Sequence, residues 1–434
     1  MARQATRKKT AKRTGRKKRE LVPCPLPQCN TKTKQHEPGS RALKIHTRAA
    51  KGEIDLDTAL EATTFVPKDK TEYIDTTNHE GPLLGIRKDD GTMSFREYAS
   101  KDRVDAMSNE LESARKRLVS ENAEALSSFF ATVMAARRYS EANTMLISLQ
   151  DPNGRIFRSA TDWKKDGYAL KPGARGCWIF APIMGSRTVT DEDGNPKLDE
   201  DGKEVKETFR KRGYRSVLTY SENQLDPLVK EPPKDPLVEY INQQTERTDV
   251  EDSIPMRQDL TRVAEALGVN VKFVHDPNKD LRGYTMLSDS EDHEFDIVIN
   301  DHPDISDASK TNTLAHEMGH VLCGHLDGEN STAYHSGNYD KDRGDFETEA
   351  EMFAFGMSST YGIDMGDKSA AYIGNWSMLG GEGRIERATQ GVHAGMQNAF
   401  VTLDNLNSGM DMNEVREKSQ AMREKIVHAK RKDR

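Results

Sequence analysis

Between Thr313 and His325 the chain reads Thr-Leu-Ala-His-Glu-Met-Gly-His-Val-Leu-Cys-Gly-His, and this stretch constrains the fold more than any other. On an α-helix, residues four apart share a face, so His316 and His320 aim their imidazoles at one point. Two neutral imidazoles at that separation suit a zinc ion, and Glu317 beside them is positioned to hold the water that the metal acidifies. Leu314, Ala315, Met318, Val321 and Leu322 can bury the rest of the surface. The spacing predicts a buried helix over about 308–325, preceded by a strand over 295–300 in which Ile297, Val298 and Ile299 form an apolar run.

A catalytic zinc needs a third protein ligand. A histidine at position 326 would give the metzincin pattern, but Leu326 stands there and His325 is displaced by one residue. The gluzincin solution takes a glutamate from a later helix, and Asp345-Phe-Glu347-Thr-Glu349-Ala-Glu351 offers three. Glu347 and Glu351 share a face, which suits Glu347 as ligand and Glu351 as the carboxylate that orients a ligand histidine. Glu349, on the other side of the helix, is the main competitor. In such a site Glu317 is the general base, passing the proton of water to a leaving amine. Tyr372, His325 and Arg343 are candidate donors to the oxyanion.

Charge is distributed unevenly along the 434 residues. Residues 1–50 carry 15 Lys and Arg against Glu20 and Glu37, leaving −20 for the remainder of a chain whose net charge is −7. Ten of those cations lie between Arg3 and Arg19 with no apolar face among them, which predicts a disordered basic arm over 1–23 that binds polyanions through counterion release. Next come Cys24 and Cys29, followed by His36 and His46; two thiolates and two imidazoles could close a tetrahedral zinc site, a knuckle over 24–50, or the cysteines could sit unpaired in a loop. Four cysteines are too few for a disulfide framework, so a reducing cytoplasm is expected. No run of 18 apolar residues predicts a membrane span, and the basic N-terminus lacks the apolar stretch of a secretory signal.

Elsewhere the pattern predicts a helix over 102–138, a buried strand from Gly176 to Pro182, and a solvated acidic hairpin or loop between Ser186 and Phe209. Residues 225–253, rich in Asp-Pro and Pro-Pro, read as a linker, and 51–101 yields no functional reading. Helices are expected over 258–267, 344–358 and 385–406, a strand at 271–274, and a charged tail over 411–434 whose last twenty residues read as a frayed helix. Trp163 and Trp178 lie among Lys164, Lys165, Lys171 and Arg175, the mixture that holds single-stranded nucleic acid by stacking and phosphate contacts, although core tryptophans beside a solvated cationic face would look the same.

Ile297-Val-Ile-Asn300, Thr313-Leu-Ala-His-Glu-Met-Gly-His320 and Glu347-Thr-Glu-Ala-Glu351 together resemble the ImmA/IrrE-like zincins. Tyr139-Ser-Glu-Ala-Asn143 to Gln150, Trp163, Lys171-Pro-Gly173 to Pro182 and the segment Tyr361 to Trp376 resemble the ArdC-like antirestriction proteins. The likeness spans roughly 120–225 and 285–405, leaves 1–100 unexplained, and departs at Val217-Leu-Thr-Tyr-Ser221, where the family has a Phe-Asp pair. The resemblance implies an α+β chain: a single-stranded-DNA-binding domain over 102–224, then a gluzincin-like metallopeptidase domain over 254–410 built from a small sheet and an active-site helix. It implies a phage or plasmid protein in the host cytoplasm, with single-stranded DNA and an unidentified protein substrate as partners and Zn2+ as cofactor. Two other readings stand beside it: a DNA-binding protein with a silent zinc site, and a regulatory protease that cleaves a repressor.

Overall fold

A computed structural model describes residues 21–64, 71–120, 123–191, 195–246, 253–326, 338–363 and 382–432. The basic arm up to residue 20 and Tyr372 lie outside them. The chain divides into two compact units, one of residues 1–69, 163–174 and 225–232, the other of 70–162, 175–224 and 233–434.

The smaller unit begins with a short antiparallel pair, β1 (Val22–Pro23) and β2 (Gln35–His36), in which Val22 faces His36. Helices α1 (Arg41–Ala50) and α2 (Leu56–Ala62) follow. Each has a side-chain cap at its N-terminus: Ser40 accepts from the Leu43 amide and Asp55 from that of Thr58. Ile45, Ala59 and Val229 form a very small apolar core. Trp163 is also buried here, edge-on to Tyr168 with ring centroids 5.3 Å apart.

The larger unit opens with a hairpin of β3 (Ile86–Arg87) and β4 (Met93–Ser94), then α3 (Ser100–Ser120), α4 (Ala123–Ala135) and α5 (Glu141–Gln150). The helix expected over 102–138 is therefore divided between α3 and α4. A three-stranded antiparallel sheet comes next, from β5 (Phe157–Arg158), β6 (Cys177–Thr188) and β7 (Lys206–Ser221), with α6 (Ala160–Lys165) after β5. The acidic segment expected as a solvated hairpin or loop takes the hairpin form: the β6–β7 ladder runs to Thr188↔Lys206, and isolated bridges extend it at Thr190↔Pro196 and Leu198↔Glu204. Within the stretch expected as a linker, α7 (Pro236–Glu246) is helical. Asp235-Pro236, which reads as a breaker, here starts a helix: Asp235 Oδ1 accepts from the Leu237 and Val238 amides, and proline fits the first turn. Asp235 also receives Arg137, whose guanidinium reaches Asp404 as well, so a buried charge is matched from two sides.

Helix α8 (Ile254–Ala266) leads into the mixed sheet that carries the site, ordered β8 (Val269–Val274), β10 (Phe295–Asn300), β9 (Gly283–Leu287). The central strand β10 runs parallel to β8 and antiparallel to β9, and Phe295, Ile297 and Ile299 turn one face into the core. That face packs with α4, α8, α9 (Asp307–Leu322), α10 (Asn338–Thr360) and α11 (Glu382–Asn407) in one apolar cluster. Three strands cannot cover themselves, so the helices supply the burial that holds the sheet. The charged tail, expected as a frayed helix, is α12 (Met412–Lys432), docked with Val415 and Ser419 buried and Arg423 donating to the carbonyls of Val321 and Leu326. No described helix is long and apolar enough to cross a membrane.

His393 of α11 is buried beside Phe129 and bonded to Thr144 at 3.1 Å. Burial lowers its pKa from 6.5 to about 4, so the folded state holds it neutral while the unfolded chain takes up a proton. The contribution to stability is present above pH 6.5 and is lost as pH falls towards 4. Chemical denaturation at stepped pH should show His393→Leu losing less stability than wild type across that window, by on the order of 3 kcal/mol at most.

Candidate metal centre and cleft

Helix α9 starts at Ser306, whose hydroxyl accepts from the Ser309 amide, and ends at Gly324 with φ +74, a conformation that glycine adopts without steric cost. Between those ends its inner face presents His316, Glu317 and His320. Helix α10 crosses it closely at Gly319, where a β-carbon would meet the Ala350 Cα at 2.8 Å and its carbonyl oxygen at 3.0 Å. This approach brings the carboxylates of α10 to the imidazoles of α9.

His316 Nε2 lies 3.2 Å from His320 Nε2 and 3.3 Å from Glu347 Oε2, and Glu347 Oε2 is 4.0 Å from His320 Nε2. Ligand atoms on a tetrahedron with bonds of roughly 2.0–2.1 Å stand about 3.3 Å apart, so the donor set fits a divalent cation in chemistry and in spacing. Electrostatics point the same way. Burial would depress His316, but Glu347 and Glu351 overcome it and push the imidazole up to about 10. The three carboxylates, Glu317 included, call for positive charge at this spot.

Carboxylates stand behind both imidazoles. Glu351 Oε1 lies 3.1 Å from His316 Nδ1. On the other side, Glu349 Oε2 is 3.0 Å from His325 Nε2, and His325 Nδ1 is 2.9 Å from His320 Nδ1. A carboxylate can only accept here, so His325 donates from Nε2, leaving Nδ1 to accept from His320 Nδ1–H. His320 Nε2 is then a bare lone pair facing His316 and Glu347. Glu349, the competitor for ligand, thus acts two residues removed, and His325 has both nitrogens engaged rather than turned to an oxyanion. Of the other candidate donors, the Arg343 side chain and Tyr372 fall outside the described residues.

A cleft of ≈ 700 Å³ opens over the set, lined on one wall by His316, Glu317, His320, Glu347 and Glu351 and on the other by residues 280–284. Glu317 is buried and accepts a 2.6 Å hydrogen bond from Thr285 of β9. Burial raises its pKa, with Thr285 and His316 pulling back. Asn312 also lines the cleft, its buried Oδ1 without a hydrogen-bond partner. β9 and its Thr285 escaped the sequence reading. The alternation of Gly283, Thr285 and Leu287 with Tyr284 and Met286 is the signal for the strand, but no spacing links Thr285 to Glu317.

The DNA candidates are divided. Trp163, Lys164, Lys165 and Lys171 belong to the smaller unit, Arg175 and Trp178 to the larger. The four cations are exposed, but Trp163 is 1% exposed, so its ring is a core element and cannot stack on a base. Trp178 is half-buried with the Arg103 guanidinium 3.8 Å from its ring centre. Sequence reasoning passed over a second cationic surface: Lys206 to Arg215 of β7 is exposed throughout and carries Lys206, Arg210, Lys211, Arg212 and Arg215, with Phe209 and Tyr214 between them. Cys24, Cys29, His36 and His46 converge in the smaller unit, with donor atoms all within 4.8 Å of one another.

Residues 264–360, which contain the sheet, α9 and α10, match a peptidase family model described as the IrrE N-terminal-like domain, and the chain carries a metallopeptidase-like domain of that kind. Two solved structures of the antirestriction ArdC protein from the R388 plasmid are similar to the chain. The metal-free one is 19% identical with a TM-score of 0.33, covering 63% of this chain and 86% of its own. The Mn(II)-bound one is 16% identical with a TM-score of 0.29, covering 61% and 85%. No curated protein matches the chain.

The close crossing at Gly319 is testable. Alanine there gains about 1 kcal/mol of helix propensity, but its methyl meets backbone that cannot move aside, an overpacking cost of roughly 1–3 kcal/mol. Gly319→Ala should lower the melting temperature and weaken metal uptake; a variant as stable and as metal-avid as wild type would show that the helices do not depend on this contact.

Proposed function

We propose that the chain is a zinc-dependent peptidase whose metal is held by His316, His320 and Glu347, joined to a surface that binds single-stranded DNA, serving a mobile element in an antirestriction-like role. The observation that carries the peptidase reading is the convergence of three donors in an open cleft with a buried carboxylate, Glu317, beside them. Zinc held there would supply an acidified water and a Lewis acid for a carbonyl. Glu317, kept partly protonatable by burial and oriented by Thr285, takes the proton of that water and returns it to the leaving amine. Glu351 and the Glu349–His325 pair keep the Nε2 lone pairs of both histidines turned inward.

The substrate class follows from β9. It is an edge strand with one side unpaired in the sheet, and it borders the cleft through Gly283 and Tyr284. An extended polypeptide can add to that edge by main-chain hydrogen bonds, with the exposed Tyr284, Met286 and Leu287 offering apolar contacts. Glu317→Gln should retain the zinc stoichiometry of wild type and lose hydrolysis of fluorescent casein by at least about 100-fold. A variant that binds zinc and cleaves at the wild-type rate would remove Glu317 as the base.

For DNA, the supporting observation is the β6–β7 ribbon, whose outer half is solvated on β7 and strongly cationic. Its lysines and arginines can follow a phosphate backbone while Phe209 and Tyr214 stack on bases. Antirestriction as the role rests on the resemblance of residues 139–182 and 361–376 to ArdC-like proteins. Replacing Arg210, Lys211, Arg212 and Arg215 by alanine should flatten the salt dependence of oligothymidylate binding by roughly 3 in the log–log slope. An unchanged slope and affinity would place DNA elsewhere or nowhere.

A further inference from the structure

From Cys24, Cys29, His36 and His46 we infer a second zinc site, structural in kind, that organises the smaller unit. It stands independently of the peptidase reading.

The donors arrive from three local elements. Cys24 follows β1, and its amide donates to the Lys34 carbonyl, closing the hairpin. Cys29 lies just after the turn Pro25-Leu-Pro-Gln, its amide donating to the Leu26 carbonyl. His36 ends β2, and His46 lies on the buried side of α1 beside Ile45. A hairpin followed by a helix is how a short chain brings four donors together with little core.

The distances describe a shared centre. Cys24 Sγ lies 3.2 Å from His46 Nδ1, Cys29 Sγ 3.4 Å from His36 Nε2, and His36 Nε2 3.1 Å from His46 Nδ1. A zinc tetrahedron with bonds of roughly 2.0–2.3 Å has edges of about 3.3–3.8 Å.

The proton arrangement around the cluster is that of a ligand set. Thr63 Oγ1 donates its one proton to the Ala59 carbonyl at 2.8 Å, so it can only accept from His46 Nε2, also 2.8 Å away. His46 therefore carries its proton on Nε2, and Nδ1 presents a lone pair to Cys24 and His36. This is the outer hydrogen bond that metal-bound histidines make. The Leu26 amide donates to Cys24 Sγ at 3.4 Å and Thr31 Oγ1 lies 3.1 Å from Cys29 Sγ, contacts that favour thiolates.

The unit needs such a staple. Its apolar cluster holds three buried residues, Ile45, Ala59 and Val229, while Cys29, His36 and His46 are buried donors. With so small a core, metal binding decides whether the hairpin and helix hold together.

Cobalt substitution of the full chain separates this site from the cleft, because only thiolate ligands give a sulfur-to-cobalt charge-transfer band in the near ultraviolet. Wild type loaded with Co2+ alone should show that band. His316→Ala with His320→Ala should keep it, and Cys24→Ser with Cys29→Ser should lose it. A wild type without the band, a band that survives the serine pair, or recovery of Cys24 and Cys29 as a disulfide in protein purified under reducing conditions would overturn the proposal. Should the serine variant fail to fold, the band in wild type and in the histidine variant still decides between a thiolate site and none.

Discussion

The contact of Gly319 with the backbone of Ala350 is the constraint on which the rest of the larger unit's chemistry depends. Helices with ordinary side chains at a crossing stand 8–10 Å apart, and a glycine permits the near end of that range. Glutamate reaches only a few ångströms beyond its own helix, so at a wider separation Glu347 could not come within 3.3 Å of His316. The apolar residues of both helices then follow: Leu314, Met318 and Val321 from α9 and Phe353, Ala354 and Met357 from α10 are buried in the same cluster. Packing sets the distance, and the distance creates the electrostatics.

The consequence is a site with its charges ordered in depth. At the centre, two imidazole nitrogens and a carboxylate oxygen face one another. Behind each imidazole stands a further carboxylate, Glu351 directly behind His316 and Glu349 behind His320 through His325. The Glu349–His325 chain turns the Nε2 lone pair of His320 inward, and Glu351 sets a negative charge beside His316 Nδ1. Helix α11 completes the arrangement with Gly391, where a β-carbon would come within 2.4 Å of Glu349 Oε2. Glu349 is buried because the neighbouring helix leaves it a place.

What was legible in the sequence follows from the range of the physics behind each signal. The pairing of His316 with His320 is an intrahelical periodicity, and the carboxylate helix and the strand at 295–300 announce themselves by local pattern. The part played by His325 depends on the chain reversing at Gly324 and meeting Glu349 from another helix, which no spacing within α9 encodes. Asp235-Pro236 carries the same two residues whether it breaks a helix or caps one, and only the buried partner Arg137 decides. Trp163 likewise looks identical as a stacking platform or as core. At 411–434 the helix was legible but its docking was not, because a single stripe of Val415, Ser419 and Arg423 suffices to bury one face of a helix that is otherwise polar.

The two donor clusters differ in the feature that separates structural from catalytic metal sites. Cys24, Cys29, His36 and His46 supply four side chains to one point, which completes a tetrahedron and leaves nowhere for water. His316, His320 and Glu347 supply three, and the missing corner opens on a cleft whose far wall is an unpaired strand edge. The difference extends to ligand type. Thiolates hold a metal tightly and quench its Lewis acidity by donating charge, whereas imidazoles and a single carboxylate leave it electrophilic. On the two proposed readings, thiolates would serve where a small unit is held together, and an incomplete set without thiolate where a bond is to be polarised. The buried carboxylate of Glu317 stands beside the open set, where the proposed general base would be needed, since a base has no task beside a metal that holds no water.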